Sequence, residues 1–144
     1  MDEFVVKSSR DDCTLTFCNR QPDDRSEPID RFEVEVTRCD LSARASVWAG
    51  YTASHPAEWF HEVARSWPGW KDEIVWSSLE GELTLAASHD RFGHITIRIE
   101  LRPSYGRSWE HDWSLKAFVV AEAGQLETLA KHAARFFERD GILR

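Results

Sequence analysis

The sequence predicts an α+β fold: a mostly antiparallel sheet of about six to seven strands with two amphipathic helices packed on one face, forming one domain over residues 1–144. Two observations predict it. Short runs with alternating apolar residues recur along the chain, joined by turn-length polar segments that favour antiparallel pairing. Two other stretches carry apolar residues at three- and four-residue steps, and a helix striped in this way needs a sheet face to cover.

Taken in order, Glu3 to Lys7 and Cys13 to Cys18 read as short strands around a polar turn. Asn19 to Asp30 carries Pro22 and Pro28 and reads as a loop with little to pack. In RFEVEVTR, Phe32, Val34 and Val36 fall on one face and Glu33 and Glu35 on the other, the signature of a half-buried strand. ARASVWAGY follows with Ala43, Ala45 and Val47 inward and Arg44, Ser46 and Trp48 outward. From Ser54 the period changes. Ser54 or His55 can cap a helix, Pro56 suits its first turn, and Trp59, Phe60, Val63, Ala64 and Trp67 form its apolar stripe up to the stop at Pro68-Gly69. WPGWKDEIVW reads as a connection crowded with tryptophan. Strand signals return at Glu82 to Ser88, His94 to Arg102 and Trp109 to Ala121. Leu126, Leu129, Ala130, Ala133 and Phe137 line the closing helix, with Glu127 and Lys131 as an i,i+4 pair. No internal sequence repeat stands out.

At 144 residues the chain can bury a core without disulfides or a structural metal. Its net charge is −7, and residues 19 to 40 hold seven carboxylates against four arginines. Phosphate binding depends on Lys and Arg, so a nucleic-acid partner is not expected, whereas a basic protein would be attracted. Apolar runs fall far short of the ~20 residues of a bilayer helix, and the acidic start does not read as an export signal. Cys13, Cys18 and Cys39 fit no zinc or CxxC spacing, which points to free thiols in a reducing cytoplasm. No cofactor or metal is expected, and neither a nucleophile elbow nor a glycine-rich phosphate loop is present.

SHDRFGH, residues 88 to 94, brings two imidazoles and a carboxylate close in sequence. Parity decides its role. Leu83, Leu85 and Ala87 before the turn and Ile95, Ile97 and Ile99 after it are all odd, so opposed residues sum to an even number, and 184 leaves Arg91-Phe92-Gly93 as the loop. This register predicts a type I turn with Gly93 at positive φ, Asp90 facing His94, and His89 on the other side. The EHD cluster at Glu110 to Asp112 would then place His111 near Leu101, too far from His94 to share a metal.

WPGW, WSSLEGELTLAASHDRFGHITIRIEL and AGQLETLAKHAARFF together resemble a family of small bacterial proteins of unknown function. The resemblance implies a shared fold unit and a bacterial cytosolic origin, with no catalytic residue to carry over. The small size and acidity are similar in style to immunity proteins that neutralise toxins. The leading expectation is therefore a non-enzymatic cytosolic protein-binding module, immunity-like, using an acidic edge with Glu33 and Glu35 and a sheet face bearing Trp48 and Phe118. Trp70, beside Lys71-Asp72-Glu73, is the tryptophan expected at the surface, while Trp67 and Trp76 plug the helix against the sheet. One alternative is a small-molecule site or enzyme between helices and sheet, lined by Trp59, Trp67 and Trp76 with His55 or His61 as its polar group. Another is a structural homodimer.

Overall fold

The computed structural model describes residues 3–50, 54–103 and 112–138. In chain order the elements are β1 (Glu3–Lys7), β2 (Thr14–Gln21), β3 (Arg31–Arg38), β4 (Leu41–Trp48), α1 (Ala57–Arg65), β5 (Ile74–Ser77), β6 (Leu83–His89), β7 (His94–Leu101), β8 (Leu115–Glu122) and α2 (Leu126–Phe137). The α+β class holds, but the strands do not form one sheet. They divide into two antiparallel four-stranded sheets, β1-β2-β3-β4 and β5-β6-β7-β8, each followed by a helix. The same order of elements thus occurs twice although the sequence shows no repeat.

WPGWKDEIVW is not only a connection but contains most of β5. Its residues pair with β6, Trp76 opposite Leu85 and Ile74 opposite Ala87. Four residues are too few for alternation to stand out beside three tryptophans. The last strand begins at Leu115 rather than Trp109, and Leu115, not His111, stands opposite Leu101. Trp109, Glu110 and His111 lie outside the described residues.

Strand parity sets the inner faces. Phe32, Val34 and Val36 are buried in β3, and Leu83, Leu85, Ile95, Ile97 and Ile99 are buried across β6 and β7. Both sheets and both helices contribute to one hydrophobic cluster. Phe137 sits among aromatic rings at its centre, 5.1 Å from Phe17 and 5.0 Å from Phe32 in edge-to-face geometry, an arrangement worth about 0.5–1.5 kcal/mol per pair beyond area burial. The helix stripe is broader than Leu126, Ala130, Ala133 and Phe137 alone, since Phe136 is also fully buried.

A bulge in β2 departs from simple alternation. The β2–β3 pairing shifts between Cys18 and Gln21, and Asn19 adopts φ 51° there. The extra residue reverses parity, so Arg20 turns inward. Its guanidinium donates to the carbonyls of Phe136 (3.0 Å) and Phe137 (3.4 Å) at the end of α2 and to those of Pro22 and Glu27. Cations are favoured at a helix C-terminus. The loop expected to have little to pack is therefore anchored from within, and Ile29 is buried beside it.

Among the described residues, hydrogen bonds tie the two sheets together at Ser8–Ser9 and at Trp48. Ser9 donates its N–H to the Val120 carbonyl at 2.8 Å, and Val120 returns its own to Ser8 Oγ at 3.0 Å. Elsewhere Trp48 of β4 donates its N–H to the buried Glu82 carboxylate just before β6.

Candidate functional site

The hairpin at SHDRFGH has the register its parity predicts: His89 pairs with Ile95, and Asp90 donates its backbone N–H to the His94 carbonyl at 3.2 Å. The turn itself differs from type I, because Arg91 takes φ 73° as well as Gly93 at 86°. Side-chain bonds hold that conformation. His89 Nδ1 accepts the Arg91 N–H at 2.9 Å, and Asp90 Oδ1 accepts those of Phe92 (2.7 Å) and His94 (3.1 Å). The His94 ring then lies between two carboxylates, 2.7 Å from Asp90 and 3.4 Å from Glu122, whose other oxygen accepts the Ser9 hydroxyl at 2.7 Å. Burial pushes the Asp90 carboxyl up, but the hydrogen bonds from Phe92 and His94 outweigh this and bring it to about 2. These contacts organise a turn and a sheet junction. Among the described residues no three His, Cys, Asp or Glu side chains are grouped as a metal set.

Parity also places Glu33, Glu35 and Trp48 together, on the outer face of the first sheet, with Trp48 opposite Arg31, Ser46 opposite Glu33 and Arg44 opposite Glu35. Arg44 bridges the two carboxylates, at 2.8 Å to Glu33 and 3.5 Å to Glu35, and Asn19 donates to Glu33 at 2.7 Å. The acidic loop ends beside Trp48, because Ala49 donates its N–H to the Asp30 carbonyl at 2.8 Å. Next to Trp48, Gly50 (φ 70°) comes so close to Leu79 that an added Cβ would lie 2.5 Å from its Cδ1 and 3.3 Å from the Trp48 ring. Leu79 is 51% exposed. Phe118 does not join this surface. It lies on the second sheet, opposite Arg98 and 48% exposed, so the two aromatics expected on one face belong to two sheets.

The remaining tryptophans are arranged differently from the expectation. Trp70 is not a free surface residue: it is half-buried, donates Nε1–H to the Ala87 carbonyl at 3.1 Å and packs edge-on against His89. Trp59 is core, with Nε1–H on the Ile74 carbonyl at 2.8 Å. Trp76 is half-buried against the core from β5. Trp67, expected as a plug, is 62% exposed. It lines a groove of about 740 Å³ that opens between α1 and α2 rather than between helices and sheet. His61 lines the same groove. His55 does not; its ring stacks on Phe137 at 5.4 Å and its Nδ1 accepts the Ala57 N–H at 3.3 Å at the start of α1. Of the five residues expected around one pocket, Trp67 and His61 alone share it. The groove's walls are the small residues Ala57, Ala64, Ala130 and Ala134, which the sequence presents only as ordinary helix formers.

A family of unknown function (DUF6228) matches residues 6–140. The chain belongs to that family. Membership in DUF6228 spans nearly the whole domain, well beyond the half of the chain that carries the resemblance, and it assigns no catalytic or binding residue. No curated protein and no solved structure matches the chain. Among the described residues no helix is long and apolar enough to cross a membrane.

Proposed function

We propose that this DUF6228 chain is a non-enzymatic protein-binding module of the bacterial cytoplasm, immunity-like in size and charge, that captures a basic protein partner beside Trp48. The observation that carries the reading is the hydrogen bond from Ala49 to Asp30, which seats an acidic loop next to a half-buried tryptophan on an open sheet face. The loop's arginines are turned inward beneath it. Arg20 and Arg25 are bound to carbonyls at the end of α2, leaving Asp23, Asp24 and Glu27 at the surface. Trp48 and Leu79 supply the apolar anchor that an interface centre needs, and the carboxylates with Glu33 and Glu35 supply a potential that steers a cationic partner. Cys13 and Cys18 are buried free thiols, and burial pushes both up from the ordinary thiol range, in keeping with a reducing compartment.

The test immobilises wild type and Trp48→Ala, recovers from a lysate the proteins that wild type alone retains, and measures association with the purified partner. A basic partner is expected, with an association rate that falls about tenfold or more between low and high salt. The Asp23→Asn, Asp24→Asn, Glu27→Gln triple variant should weaken that salt dependence. Equal retention by Trp48→Ala, or association insensitive to salt, refutes the reading. A concentration-dependent dimer dissolved by Trp48→Ala would instead make a second copy of this chain the partner.

A further inference from the structure

From a different part of the molecule, we infer that the groove between α1 and α2 is a binding site for a free medium-chain carboxylate, an anionic amphiphile whose tail lies on the alanine walls and whose head meets Arg65 and Lys131. Three observations converge on it. The first is shape. Ala57 and Ala64 from α1 face Ala130 and Ala134 from α2, and these short side chains leave about 740 Å³ between helices that pack together elsewhere, within the range of small-molecule sites. Leu126 to Ala134 along α2 runs about 12 Å at 1.5 Å per residue, so the walls suit an extended acyl chain.

The second is Trp67. Trp67 is 62% exposed where it lines the groove, and its backbone N–H donates to the Ala64 carbonyl at 3.2 Å at the end of α1. A large aromatic held open to water beside an apolar trough gains by being covered. The third is charge. The chain carries −7 overall, yet the groove is bordered by Arg65, Lys131 and His61 against the single carboxylate of Glu127, which lies 3.5 Å from Lys131. Among the described residues Arg65 forms no ion pair, so it is available to an incoming carboxylate. A cation-bordered apolar trough on an acidic protein selects an anionic head on an apolar body.

The experiment titrates decanoate, and separately uncharged 1-decanol, into the purified full chain below the self-assembly range of either, by calorimetry and by tryptophan fluorescence. Saturable one-to-one binding of decanoate is expected, at least about fivefold tighter than decanol. Arg65→Gln should remove that preference and leave decanol unchanged. Ala134→Leu, which fills the trough, should abolish both, and Trp67→Phe should bind while losing most of the fluorescence change. Unaltered melting of each variant shows that it is folded, and if Ala134→Leu fails this check Arg65→Gln decides. Absence of saturable decanoate binding, equal binding of acid and alcohol, or unchanged decanoate affinity in folded Arg65→Gln overturns the inference. So does a dimer dissolved by Trp67→Ser, which would give the groove to a second copy. Trp48→Ala should bind decanoate as wild type does, so failure here and failure of the protein-binding reading are separate results.

Discussion

The buried carboxylate of Glu82 accepts the backbone N–H of Trp48 at 3.1 Å, joining the end of one sheet to the start of β6 in the other. Its second oxygen accepts the Ser78 hydroxyl at 2.7 Å, and Ser78 Oγ accepts the Leu83 N–H at 3.1 Å. Glu82→Ala strands two donors in a dry site and leaves a hole. The expected loss is about 3 kcal/mol in urea unfolding. Glu82→Gln keeps one acceptor and should cost about half as much. Losses below 1 kcal/mol for both would show that the junction does not depend on this side chain.

Asp90 predicts an acid limb. Its folded value of about 2 lies below the roughly 3.9 of an unfolded aspartate, so its ionised form favours the folded state above that range. The contribution is lost as pH falls from about 4 towards 2. Asp90→Asn removes it. The stability gap between wild type and Asp90→Asn should be open at pH 5 and close as the solution is acidified through that range. A gap unchanged down to pH 2 would contradict the hairpin bonds to Phe92 and His94.

Arg20 holds the β2–β3 loop and the end of α2 together through backbone carbonyls. Arg20→Met leaves those carbonyls without their donor and should cost about 2–4 kcal/mol, with faster amide exchange in residues 23–27 and at the end of α2. Arg20→Lys keeps the charge but not the planar fork and should recover less than half of the loss. A lysine variant as stable as wild type would argue that charge alone is needed.

Two tryptophans that the periodicity treats alike should behave differently. Trp59→Phe removes the donor on the Ile74 carbonyl inside the core and should cost about 1–2 kcal/mol. Trp67→Phe touches an exposed ring and should stay within about 0.5 kcal/mol. Equal costs would mean that Trp67 is covered in solution.

Parity was the part of the fold that local sequence carried well. The alternation in RFEVEVTR and in the hairpin strands assigned Phe32, Val34, Val36, Ile95, Ile97 and Ile99 to the interior, and the even sum with Gly93 located the loop. The same rule puts Trp48 with Glu33 and Glu35. It could not say that Phe118 belongs to another sheet, because parity orders residues across a strand and is silent about which strands are neighbours. The groove was hidden for a similar reason: Ala57 and Ala64 read as helix formers until Ala130 and Ala134 stand opposite them. Trp70 and Trp67 exchanged their expected roles because a neighbouring charge run says little about whether an indole N–H finds a carbonyl, as Trp70 does at Ala87.

By itself the sequence determined the type of every longer element, though not the four-residue β5, together with the inner and outer faces of the longer strands, the register of the β6–β7 hairpin and the acidic balance, since each depends on side-chain period or composition over a few neighbouring residues. Tertiary structure alone decided the division into two sheets, the inward turn of Arg20 at the Asn19 bulge, the clasp from Glu82 to Trp48 and the trough between the helices. Those depend on contacts between segments distant in the chain, where a single hydrogen bond or a missing side-chain volume selects among arrangements that local patterns leave equally open.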